Sequence, residues 1–129
     1  MFELTIKDQV YQFNFGMGFM REINKKMSTP VDGVPDVRQN VGLRYMIATA
    51  MFDKDLEALV ELLVAANKGF NPRVTPALMD AYIDDENTDI DGLFKDVLDF
   101  LRNANATKIV TNNLVAEYEK RMNAQTGQN

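Results

Sequence analysis

Residues 90–101 read Ile90-Asp91-Gly92-Leu93-Phe94-Lys95-Asp96-Val97-Leu98-Asp99-Phe100-Leu101. Ile90, Leu93, Phe94, Val97, Leu98 and Leu101 recur at intervals of mostly three or four residues, while Asp91, Lys95, Asp96 and Asp99 fall between them. A helix with about 3.6 residues per turn gathers the first set into one stripe and leaves the second in water. This stretch is therefore a helix facing a core, and it sets the expectation of a mostly α chain.

Working back toward the N-terminus, Thr75-Pro76 is a capping residue followed by proline at the first helical position. It predicts a short helix carrying Leu78, Met79, Tyr82 and Ile83. Asp53 or Asp55 can cap an earlier helix in which Leu56, Leu59, Val60 and Leu63 share a face, with Gly69 as its stop. A helix expected from near Asp36 to about Phe52 carries two apolar stripes. One holds Val37, Val41, Tyr45, Ala48 and Phe52; the other holds Leu43, Met46, Ile47, Ala50 and Met51. Such a helix either runs through the middle of its domain or buries one side against another chain. Ser28 to Pro35, with Pro30, Gly33 and Pro35, reads as a surface loop. Before it, Phe19, Met20, Ile23 and Met27 mark a first helix.

Toward the C-terminus, Val110, Leu114, Tyr118 and Met122 mark a last helix after Asn103-Ala104-Asn105, and polar residues 123–129 are expected to fray. The opening residues follow a different period. Phe2, Leu4 and Ile6 alternate with polar residues, and Val10, Tyr11, Phe13 and Phe15 resume an extended pattern after Lys7-Asp8-Gln9. An isolated hairpin is marginal in water, so the face with Leu4, Ile6, Phe13 and Phe15 should rest on a helix or extend another sheet. The expected fold is thus mostly α: an N-terminal β-hairpin followed by a compact bundle of about five to six helices, one domain over residues 1–122.

Composition narrows the chemistry. A net charge of -5 in 129 residues, with no cluster of lysine or arginine, argues against a partner gripped through its phosphates, so nucleic acid is not expected. With neither cysteine nor histidine, the chain has no disulfide, no thiolate, no cysteine zinc site and no imidazole base. No secretory signal is seen at Met1-Phe2-Glu3, and the longest apolar run, Tyr45 to Phe52, falls well short of the ~20 residues that cross a bilayer. A soluble protein of a reducing cytoplasm, without membrane contact, is expected.

Asn87, Asp89, Asp91 and Gly92 imitate the first half of a calcium loop, but the position for the bidentate glutamate is Leu98, so the aspartates are read as favouring the next helix N-terminus. No metal or cofactor is expected. The remaining carboxylates are scattered, and no pair can be nominated as acid and base. Gly16-Met17-Gly18 lacks the rest of a phosphate-binding signature. The chain has eight methionines, and those of the doubly apolar helix offer an adaptable surface for a partner.

The order of these features resembles the phage tail assembly chaperone family of siphophages and prophages of Gram-positive hosts. Phe2-Glu3-Leu4-Thr5-Ile6 with Tyr11-Gln12-Phe13-Asn14-Phe15-Gly16 is similar to that family's hairpin and its entry into the first helix. Residues 50–59, Ala50-Met51-Phe52-Asp53-Lys54-Asp55-Leu56-Glu57-Ala58-Leu59, resemble its helix pair joined at an acidic turn. Residues 76–83, 93–101 and 104–108 resemble its closing segment. The resemblance implies a non-enzymatic protein of the host cytoplasm, absent from the finished virion. Its partner would be the tape measure protein, and a longer frameshifted form would engage the tail tube protein. Many copies on one client would also make it a homo-oligomer. On this reading Leu43, Met46, Ile47, Ala50 and Met51 are the expected client surface. The competing expectation is a structural head-tail connector or tail-completion adaptor, in which Phe2, Leu4 and Ile6 extend a neighbour's sheet.

Overall fold

The computed structural model describes residues 1–26, 28–31, 34–40 and 42–125. Strands β1 (Phe2–Ile6) and β2 (Gln9–Phe13) form the expected antiparallel hairpin, with Phe2 opposite Phe13 and Ile6 opposite Gln9. The connecting residues Lys7 and Asp8 both have positive φ, at 51° and 67°. That pair of left-handed residues gives the mirror-image turn whose twist matches the two strands. The inward face lands on a helix. Phe2, Phe13, Phe15 and Phe19 are buried, with ring centroids 5.6 Å apart for Phe2–Phe13 and 5.1 Å for Phe15–Phe19.

Helix α1 (Met17–Lys26) buries Phe19 and Ile23; Met27, expected on the same stripe, lies outside the described residues. The segment expected as a loop is instead a second antiparallel hairpin, β3 (Ser28–Val31) with β4 (Val34–Asn40). Each strand of a two-stranded ribbon has an edge that needs no donor, so Pro30 and Pro35 are compatible with it, and Val31, Val34 and Val37 favour it. Helix α2 (Gly42–Met51) therefore begins at Gly42 and not near Asp36. The Asn24 side chain of α1 accepts the Leu43 N–H at 2.9 Å and so caps this new start. Val37 belongs to β4, and Val41 lies outside the described residues.

The helix in the middle of the molecule is α3 (Leu56–Asn67), not α2. Leu59, Leu62, Leu63, Ala65 and Ala66 are all buried, and α3 packs on β2, α1, α2 and a fourth helix, α4 (Pro76–Asp84). Ala58, Ala65 and Ala66 let these neighbours approach closely. Asp55 caps it through the Ala58 N–H at 3.1 Å, and Gly69, at φ 96°, follows its end. Its last residue, Asn67, is fully buried. It accepts the Val74 N–H at 2.7 Å and donates to the carbonyls of Gln12 at 2.9 Å and Pro72 at 3.3 Å. One amide thus ties strand, helix and loop together.

Thr75 caps α4 through the Leu78 N–H at 3.1 Å, as expected. In α5 (Ile90–Asn103), Leu93, Phe94, Val97 and Leu101 are buried and Asp91, Lys95, Asp96 and Asp99 are exposed. Helix α6 (Lys108–Gln125) turns back along α5 after Thr107, whose buried hydroxyl donates to the Leu101 carbonyl at 2.7 Å. It runs through residues 123–125, where fraying was expected; 126–129 lie outside the described residues. Among the described residues no helix is long and apolar enough to cross a membrane.

Candidate functional site

The two apolar stripes of α2 have different fates. Leu43, Met46, Ile47, Ala50 and Met51, the nominated client surface, all point inward, none more than 8% exposed. They form the face of α2 that belongs to the core beside α1 and α3. As the chain is folded, these five hold the subunit together, and a client could touch them only if α2 left its place.

The opposite stripe reaches the surface. Tyr45 is 55% exposed, and Ala48 and Phe52 are half-buried. Helix α6 lies alongside. The Phe52 and Tyr118 rings stack with centroids 4.7 Å apart and planes 15° apart, and the Arg44 guanidinium donates to the Glu117 carboxylate at 2.7 Å. Both ends of that ion pair are about half exposed, so it orients more than it stabilises. Between the helices runs an open groove of about 290 Å³, floored by Ala48, Phe52, Leu114 and Tyr118 and edged by Asp53 and Arg121. Tyr118 and Met122 leave 39% and 41% of their surface in solvent.

Aromatic faces, a methionine and a charged rim suit an apolar stripe on another helix better than a small polar substrate. Tyr45 and Phe52 were legible as a stripe, but not as the outward one. The signal was the tyrosine hydroxyl, which seeks water, set against the wholly apolar Leu43, Ile47 and Met51. The contribution of α6 was not legible, because only tertiary packing brings Tyr118 to Phe52.

The acidic turn before α5 is structural. Asp89 accepts the Gly92 N–H at 3.0 Å as the cap of α5, Asp85 accepts the Asn87 N–H at 2.9 Å, and the Thr88 hydroxyl donates to the Tyr82 carbonyl at 2.6 Å. Burial pushes the Tyr82 hydroxyl above the ordinary tyrosine value, and the negative charges of Asp89 and Asp96 push the same way, so the phenol stays protonated. Among the described residues no three acidic side chains converge as a metal site would require.

A family model described as phage tail assembly chaperone protein, TAC, matches residues 3–116. The match includes α2 and ends within α6, so Glu117, Tyr118 and Met122 lie beyond it. Searches of curated proteins and of solved structures returned no match.

Proposed function

The chain belongs to the phage tail assembly chaperone family, and we propose that it acts there by binding the tape measure protein, without catalysis, so that tail tube subunits can assemble around it. The observation that carries the reading is the family match over most of the chain. The seam of exposed Tyr45, Tyr118 and Met122 with the half-buried Phe52 supports it with a surface of suitable chemistry. A long helical client with an apolar side needs a partner that covers such stripes with little sequence choice, which aromatic and methionine side chains do. The acidic net charge keeps the coated client soluble by mutual repulsion. On this reading the protein works in the host cytoplasm and leaves before the virion is complete. A longer frameshifted form would contact the tube protein.

Co-expression with the tape measure protein of the same genome tests this. The client is expected to become soluble and to co-purify with the chain, and to lose both with the Tyr118→Glu, Met122→Glu variant. A client that stays insoluble beside a folded, abundant chaperone would contradict the proposal.

A further inference from the structure

Where Asn14 leads into α1, a groove of about 640 Å³ separates α1 from the end of α3. It shares no lining residue with the groove between α2 and α6. Its apolar lining includes Met17, 47% exposed, and the half-buried Phe70. Arg21, Lys25 and Lys68 edge it, with one carboxylate, Glu22, which the Lys68 ammonium contacts at 2.8 Å. Cations therefore outnumber carboxylates three to one here, on a chain whose net charge is -5. Gly18 leaves one wall of the groove bare. It lies in the first turn of α1, its backbone is not left-handed, and a Cβ added to it would meet no atom within 4 Å. Neither space nor conformation demands glycine at this position, and among the residues only proline is a poorer helix former. What its absent side chain does provide is room in the groove.

Apolar walls beneath a cationic rim fit an occupant with the complementary arrangement, an apolar stripe flanked by carboxylates. A short helix provides one when apolar and acidic residues alternate at intervals of three and four. We propose that the α1–α3 groove docks an acidic amphipathic helix of a partner protein. The apolar stripe of that helix lies over Met17, Gly18 and Phe70, and its carboxylates meet Arg21 and Lys25, both of which are exposed. The net negative charge of the chain repels such a partner elsewhere. The cations at the groove thus fix where the helix lands and which side it presents, more than they add to its affinity. The proposal does not rest on the tape measure reading, since neither groove contributes a residue to the other.

Fluorescence anisotropy on the full chain tests it, with a labelled synthetic helical peptide of leucine and glutamate beside the same peptide carrying glutamine for glutamate. The glutamate peptide is expected to bind about tenfold more tightly than the glutamine one, and to lose that advantage as salt screens the contact. Gly18→Leu fills the groove without altering its charge. That variant, and separately Arg21→Ser with Lys25→Ser, are each expected to weaken binding of the glutamate peptide about tenfold. All three positions are exposed, and circular dichroism checks that each variant is folded. A glutamate peptide that does not bind, or that binds no better than the glutamine one, would overturn the proposal. Binding indifferent to both variants would do the same. Peptide binding that falls as the chain is concentrated would give the groove to a second copy, and overturn it too.

Discussion

Asn67 makes three hydrogen bonds from a site with no access to water, to β2, to the loop at Pro72 and to Val74. Removing a buried polar side chain leaves its partners unsatisfied, which costs more than the bonds contributed net. Asn67→Ala is therefore expected to lower stability by about 3 kcal/mol. The check is urea denaturation, where the midpoint should fall and the slope should hold. Tyr82 offers a test by pH. Its folded-state pKa is raised, so its contribution to stability is fully present below the unfolded value of about 10 and is lost as pH rises through the folded value. Tyr82→Phe is expected to flatten the fall in stability as pH rises past the unfolded tyrosine value of about 10, relative to wild type. Equal slopes in the two proteins would show that this hydroxyl does not report its surroundings.

Among the elements, the first hairpin carries an avoidable cost. Lys7 and Asp8 both adopt left-handed backbone without being glycine or asparagine. Lys7→Asn with Asp8→Gly is expected to raise stability by about 1 kcal/mol, read from thermal or urea unfolding, with the core unchanged. The elements also show which signals a sequence carries. Helix α5, the caps Asp55 and Thr75, the stop at Gly69 and the alternation of β1 were legible because each is a local pattern with a local cause. The ribbon of β3 and β4 was not, because its prolines are also what a loop requires. The central place of α3 was hidden for another reason. The stripe of Leu56, Leu59, Val60 and Leu63 describes one face, whereas Leu62, Ala65 and Ala66 are buried as well, and only tertiary packing shows that several elements meet there. Helix α2 showed two apolar stripes, but periodicity cannot say which one faces the core.

At the scale of the whole molecule, burial and exposure of those two stripes separate stability from binding. Met46→Glu with Met51→Glu puts two unpaired carboxylates into the core, and this variant is expected to be unfolded or aggregated. Tyr118→Glu with Met122→Glu alters half-exposed positions on α6. It is expected to keep a native circular dichroism spectrum and to lose about 1 kcal/mol or less. If the two variants were equally stable, the assignment of the faces would be wrong. The same distinction gives a test of where the proposed client binds. A photo-activatable phenylalanine analogue placed at Tyr45, at Met122 or at Val10, which is exposed on β2, can be irradiated in cells that also make the tape measure protein. Adducts with the tape measure protein are predicted from positions 45 and 122 and not from 10. No such adduct from either seam position of a folded chain, or one from position 10 alone, would contradict the account.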